Sequence, residues 1–252
     1  METVFKRVKF LKALDGNPSN KRDLVDLVNV SRSTVNRAIW DLEQLGLIEY
    51  DDEGYRVTVS GRLLYEQYVR YRDGVVAVMA AADLLALLPG DGPISLDLVR
   101  DADIFVAEDP APHVPVTILS NIIRESERLR GISRAHAAPK TADALHDAIS
   151  GGATAEIVFR EEVYDHVREA YDWLTELLDV GNLRPYLIDD VPYGLIIAEH
   201  VDRTYSCLVV YDENSGIGGV LVNEREAAVD WAMNVYDSYR QQAQPVPQLD
   251  QK

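Results

Sequence analysis

The 252 residues are 47% hydrophobic and 27% charged, a globular composition with enough apolar material for one large core or two small ones. The longest apolar run, Val75 to Leu88, is broken by Asp83 and too short to span a bilayer, and no signal-peptide pattern opens the chain, so a cytoplasmic location is expected. A single cysteine, Cys207, excludes an internal disulfide and a thiolate metal cage, and its apolar surroundings predict an inert buried thiol.

Net charge is −17, and its distribution is uneven. Residues 1–72 hold 12 Lys+Arg and 11 Asp+Glu, which leaves 13 and 31 for the remainder: +1 against −18. Lysine is scarce, 6 against 19 Arg, and Asp outnumbers Glu 25 to 17. Such an acidic, Lys-poor surface suits a halophilic protein kept soluble where salt screens self-repulsion.

In chain order, Val4 to Leu14 reads as an opening helix with Val4, Phe5, Val8 and Leu11 apolar, stopped by Asp15-Gly16-Asn17-Pro18. A second helix starts at Ser19 as hydroxyl N-cap, with Leu24, Val25, Leu27 and Val28 as its apolar face. After a turn through Asn29 and Val30, Ser31 opens a third helix. Val35, Ile39, Leu42 and Leu45 form its buried stripe, and Gly46 ends it. Arg32, Ser33, Thr34, Asn36 and Arg37 crowd the opposite face. This is helix–turn–helix grammar, with those side chains placed where a recognition helix meets base edges and phosphates.

Ile48-Glu49-Tyr50 and Tyr55 to Val59 then read as a two-stranded wing around the acidic tip Asp51-Asp52-Glu53-Gly54. The tip would repel phosphate, so Tyr55 and Arg56 are the expected contacts, with Lys21 and Arg22 fixing the backbone. Ser60 to Leu88 is predicted as one long helix, with Leu64, Tyr68, Tyr71, Val75, Val78, Met79, Ala82, Leu85 and Leu88 on its apolar face and a bend at Gly74. That face is longer than one winged helix covers, so it is expected to join a homodimer that spans two half-sites about ten base pairs, or a multiple of that, apart.

Beyond Pro89 to Pro93 the pattern alternates. Strands are expected at Asp103 to Ala107, Gly131 to Ala135 and Ala155 to Phe159, and helices at Pro115 to Leu129, Thr141 to Ile149 and Glu161 to Leu178, the last with Val163, Val167, Ala170, Leu174 and Leu177 inward. Strands Leu183–Ile188, Gly194–Ala198, Tyr205–Tyr211 and Ile217–Val222 follow. Asn223 is expected to cap a last helix from Glu224 to about Arg240. The fold class is therefore mixed α+β and α/β. It comprises a winged helix-turn-helix over 1–59, a linker and dimerisation helix over 60–92, an α/β domain with a mixed sheet over 93–240, and a flexible Gln/Pro-rich tail over 241–252.

The first part resembles the winged-helix domains of archaeal and bacterial regulators. Tyr193-Gly194-Leu195, Leu208 to Asp212, Gly219 to Asn223, Ala228 to Ala232, Tyr236 and Tyr239-Arg240 resemble a family of archaeal, especially haloarchaeal, regulators that carry the domain named after a filament and methanogenesis regulatory protein. The resemblance covers nearly the whole chain. It implies a transcriptional regulator whose second domain senses a small effector and tunes binding to double-stranded DNA. That domain is also distantly similar to the effector domain of TrmB-type sugar regulators and to phospholipase-D-like folds. Active members of the latter carry His and Lys two apart with Asp further on; here His136, Lys140 and Asp143 have the wrong spacing, which implies a non-catalytic domain with an inherited anion site.

Arg134, His136 and Lys140 supply positive charge in an acidic domain, and Tyr193, Arg203, Thr204 and Tyr205 could add aromatic and hydroxyl contacts. Together they predict an anionic ligand such as a phosphorylated sugar. Glu162, His166 and Glu169 share a helix face but read better as a solvated surface than as a metal site, and His113, His146 and His200 lack ligand spacing. Gly216 to Gly219 leads into a strand and reads as a hairpin turn. No cofactor or catalytic signature appears. The other readings are a protein-interaction module and a DNA-tethered phosphodiesterase.

Overall fold

The computed structural model describes residues 2–136 and 138–246, in two compact units, Met1–Val76 and Ala77–Lys252.

The first unit packs α1 (Glu2–Leu14), α2 (Lys21–Val28) and α3 (Arg32–Gln44) over a hairpin, β1 (Ile48–Asp51) and β2 (Gly54–Val57), and leads into α4 (Val59–Ala80). Phe10, Leu11, Leu14, Leu24, Val35, Ile39 and Leu42 form its core, and Arg7 grips Asp41 through Nε (3.0 Å) and Nη2 (2.9 Å) to tie α1 to α3. Asn20, not Ser19, caps α2, accepting from the N–H groups of Arg22 and Asp23 (2.8 and 3.1 Å). Ser19 instead exchanges two backbone hydrogen bonds with Tyr55. Ser31 caps α3, accepting from the N–H of Thr34. Gly46 closes α3 in the left-handed conformation (φ +66°), and the Leu47 N–H donates to the carbonyl of Leu42 (3.0 Å), a Schellman closure.

Leu27 and Leu45, expected inside, are exposed because each lies off the stripe its helix buries, and Phe5 faces outward against Tyr68 and Tyr71. The second wing strand stops at Val57, because Thr58 caps α4: its Oγ1 accepts from the Gly61 N–H (3.1 Å) and donates to the Gly46 carbonyl (2.7 Å).

The expected single helix over 60–88 runs unbroken through Gly74 but ends at Ala80. Its backbone leaves helical geometry at Ala81, and α5 (Ala82–Leu85) then lays Leu84 against Gly219. The second unit continues with α6 (Leu96–Val99), β3 (Asp103–Val106), α7 (Val114–Arg124), β4 (Arg128–Ser133), α8 (Pro139–Ser150) and β5 (Thr154–Arg160). It closes with α9 (Glu161–Ala170), α10 (Trp173–Val180), β6 (Leu183–Ile188), β7 (Gly194–Glu199), β8 (Thr204–Tyr211), β9 (Ile217–Asn223), α11 (Glu226–Gln242) and β10 (Gln244–Pro245).

Among the described residues one mixed sheet runs β10-β6-β5-β4-β7-β8-β9-β3, with β4-β5 and β5-β6 parallel and the other pairs antiparallel. Helices α7 to α10 cover one face and α5, α6 and α11 the other. Burial on both faces is why Leu208-Val209-Val210 is continuously apolar.

Several expected boundaries move. Helix α7 ends at Arg124 because the Glu127 N–H already pairs with the Glu199 carbonyl (2.8 Å), so Leu129 belongs to a strand that begins three residues earlier than Gly131. The expected helix over 161–178 is two helices. Tyr171 is extended between them, its ring against His136 and Trp173, and Ala170 is exposed. Asn223 is no helix cap. It is buried, and its Nδ2 donates to the carbonyls of Leu98 and Arg100 (2.8 Å each), tying β9 to α6. Gly218 and Gly219 lie in β9; the turn before it is held by Asp212 Oδ1, which accepts from Asn214 and Gly216. The expected loose tail starts inside α11 and then pairs as β10 with β6; its residues 247–252 lie outside the described residues.

Candidate nucleic-acid interface and apolar cavity

Helix α3 presents one continuous exposed face. Residues four and three apart on a helix are neighbours, so Arg32, Ser33, Asn36, Arg37 and Trp40 line up along it, all exposed. At its start the hydroxyls of Ser33 and Thr34 each lie 2.9 Å from the Ser31 hydroxyl, a cluster beside the free N–H groups of the first turn, which favour anions. Arg22, Arg32 and Arg37 make no ion pair among the described residues. Trp40, 62% exposed, was missed by an apolar-stripe reading: an indole between Arg37 and Gln44 on the outward face is the signal. Such a ring can press on deoxyribose or a thymine methyl.

On the wing the placement differs from expectation. Tyr55 is 9% exposed and turned into the core, with the Lys21 ammonium 5.4 Å from its ring; Tyr50, its cross-strand partner, is 65% exposed. Directly opposite residues share one face of the hairpin, so the two rings meet edge-on at 4.9 Å, with Tyr55 the inner and Tyr50 the solvent-facing of the pair. The Arg56 guanidinium is held by Glu49 (2.9 Å) and Asp51 (3.1 Å).

The residues expected to bind a ligand are not brought together. Arg203, Thr204 and Tyr205 sit where β8 begins, paired with the end of β7, and Arg203 bonds Asp202 (3.1 Å) and Glu224 (3.4 Å). Arg134, His136 and Lys140 follow the far end of β4, about 17 Å away along the strands. Tyr193 is buried on the α11 side of the sheet, where its hydroxyl donates to the Pro93 carbonyl. Arg134 donates to the Pro192 carbonyl (2.6 Å), and Lys140 to Thr117 Oγ1 (3.0 Å). Asp143 is exposed.

What this end of the sheet does hold is a cavity of about 120 Å³ on the α7–α10 side. Leu119, Ile123, Leu145, Phe159, Trp173 and Leu174 wall it, and His136 and Tyr211 bring polar atoms to it. His136 Nε2 and the Tyr171 hydroxyl share a hydrogen bond of 2.9 Å, and the Tyr211 hydroxyl donates to the Ala135 carbonyl (3.4 Å). Burial, with the neighbouring His166 ring, lowers the His136 pKa and holds it neutral. A second cavity, of about 220 Å³, lies at the other end of the parallel strands among Arg128, Arg130, Glu156 and Arg184. There Arg130 pairs with Glu199, and Arg184 with Glu156 at 3.3 Å, a ladder of alternating sign. His146 stacks on Trp173 and His200 bonds the Ile122 carbonyl. Among the described residues no three His, Cys, Asp or Glu side chains converge as a metal site.

Residues 112–242 match the model of the middle domain of the methanogenesis regulatory protein FilR1, and residues 2–80 that of the HVO_A0261 N-terminal domain. No curated protein matches. Among solved structures, TrmBL2, an archaeal chromatin protein with a novel mode of DNA binding, is similar at 11% identity and a TM-score of 0.46, over 96% of this chain and 93% of its own. Nuc from Salmonella typhimurium, a phospholipase D family member, is similar at 11% identity and 0.43, over 59% and 99%. NucT from Helicobacter pylori is similar at 13% and 0.44, over 58% and 99%. At these scores the structural likenesses bear on neither activity nor ligand.

Proposed function

The chain belongs to the FilR1 middle-domain family, and from that premise we propose that it is a DNA-binding transcriptional regulator that works in the cytoplasm as a homodimer and is tuned by a small effector. The observation that carries this reading is the outward face of α3, where Arg32, Ser33, Asn36, Arg37 and Trp40 stand together, with unpaired guanidinium groups among the described residues. Arg32 and Arg37 would anchor guanine edges or phosphates, Asn36 would read adenine, and Ser31, Ser33 and Thr34 would position the backbone. Lys21 and Arg22 at the start of α2 add phosphate contacts. Tyr50 takes the place expected for Tyr55.

Dimerisation is supported by aromatic and branched side chains left uncovered on and against α4: Phe5, Tyr71, Val75 and Val76 are all exposed. The effector reading is supported by the cavity beside His136. No catalytic role is assigned there, since the Lys140 ammonium is directed at Thr117 and His136 at Tyr171. Among the described residues no helix is long and apolar enough to cross a membrane.

The test is selection of duplexes from a random pool by the full chain in concentrated salt, followed by titration of the enriched sequence. An enriched inverted repeat, with binding lost in an Arg37→Ala, Trp40→Ala double variant, is expected. Enrichment of nothing, or binding indifferent to both substitutions, would overturn the reading.

A further inference from the structure

The inference concerns what the cavity beside His136 accepts, and it rests on the effector reading above. Its walls are Leu119, Ile123, Leu145, Phe159, Trp173 and Leu174, and its volume of about 120 Å³ is close to that of apolar cavities, roughly 150 Å³, that take up benzene. An occupant of one ring is the size that fits.

The polar atoms decide the rest. Among the described residues no unpaired cation lines the cavity: Arg134 and Lys140 are not in its lining and are bonded to the Pro192 carbonyl and Thr117. Arg130 contributes to the lining, but its guanidinium is engaged by Glu199 and Met233 Sδ. The Tyr211 hydroxyl spends its proton on the Ala135 carbonyl, so its oxygen is left as an acceptor, beside an imidazole already bonded to Tyr171. An acceptor-only anion would meet oxygen lone pairs and carbonyls with no counter-charge, a costly burial. A ligand that donates one hydrogen bond completes the set.

We propose that the effector is a neutral, single-ring molecule carrying one hydroxyl group, a phenol-like ligand whose O–H donates to Tyr211 while its ring packs between Leu119, Leu145, Phe159 and Trp173. This replaces the phosphorylated sugar expected from Arg134, His136 and Lys140.

Calorimetric titration of the full chain with phenol, p-cresol, toluene, ribose 5-phosphate and inorganic phosphate tests the proposal, with DNA affinity measured in parallel. Phenol and p-cresol should bind, and bind better than toluene. Ala142→Phe, which fills the cavity from α8, should weaken both at least tenfold. Tyr211→Phe should bring phenol down to toluene's affinity and leave toluene unchanged, a readout that general loosening would not give. Binding of ribose 5-phosphate without phenol, accompanied by altered DNA affinity, would overturn the ligand class and keep the effector reading. Phenol bound with DNA affinity unmoved would uphold the class and sink the effector reading. Failure of every probe to bind would overturn both.

Discussion

Across the wing hairpin, Arg56 on β2 donates through Nε to Glu49 on β1 at 2.9 Å, so the one cation of the wing is neutralised by its own cross-strand neighbour. Both side chains are half exposed, which makes the pair worth at most about 1 kcal/mol to stability. Its larger effect is on DNA. Glu49→Gln leaves Arg56 to Asp51 alone (3.1 Å) and removes a charge that repels phosphate, so affinity should rise several-fold with little change in melting temperature. Arg56→Ala in that background should reverse the gain and reduce the salt slope by about 1. Fluorescence anisotropy across a salt series measures both; equal slopes would show that the wing stays off the DNA.

Arg37 and Trp40 occupy one turn of the exposed α3 face. Arg37→Ala should cost on the order of 1–3 kcal/mol in operator affinity and relax preference at one base position. Trp40→Ala should weaken binding with a smaller change in salt dependence, because the indole carries no charge. Unchanged gel-shift affinity for Arg37→Ala would remove that residue from the reader.

Gly61 is where α4 presses against Leu47, just past the turn that ends α3. A Cβ there would lie 2.0 Å from the Leu47 carbonyl oxygen, a contact no side chain tolerates without moving backbone. Gly61→Ala should destabilise the first unit by about 1–3 kcal/mol, as overpacking does. Gly90→Ala, with nothing within 4 Å, is the matched control and should be near neutral. Urea unfolding followed by far-ultraviolet circular dichroism reads the difference.

His136 is held below its ordinary pKa of 6.5, first by burial and then by His166. The unfolded chain therefore binds the proton more readily, and stability attributable to this group falls as pH drops from about 7.5 through the ordinary value to the lowered one, then levels off. Replacing His136 by Gln should flatten that segment of the pH–stability curve. An unaltered curve would mean that His136 is not the titrating group.

Burial pushes the Cys207 thiol up to about 12 in the interior of β8. Iodoacetamide at pH 8 should leave it unlabelled in the folded protein and alkylate it fully in denaturant, as mass spectrometry would record.

Much of this was legible in the sequence wherever one periodicity ruled a stretch. The stripe Val35, Ile39, Leu42 marked the core side of α3, and the Asn29 turn, Ser31 cap and Gly46 stop stand as read. Strands β7 to β9 were readable because burial on both faces makes them continuously apolar. Competition between local signals set the misses. Asn20 outcompetes Ser19 as a cap because Ser19 is drawn into pairing with Tyr55, and Tyr171 breaks an otherwise unbroken helical pattern to reach His136. The cavity was invisible for a different reason: its lining comes from α7, β4, α8, β5, α9, α10, β7, β8 and β9, and no sequence spacing records that convergence. Charge was misleading there, since Arg134 and Lys140 look available until their hydrogen-bond partners are known.

The two residues Gln244 and Pro245 lie along β6, opposite Leu187 and Tyr186, at what would otherwise be the open margin of the sheet. Leu183 to Ile188 would present a row of unpaired amides to any other chain, a template for intermolecular strand addition. The short strap takes that place, and proline offers no N–H for a further strand to join. Gln244 and Pro245 thus act as a guard against self-association through the sheet. A chain stopped at Ala243 should keep its DNA contacts yet form mixed, concentration-dependent assemblies, joined by strands instead of by the face of α4.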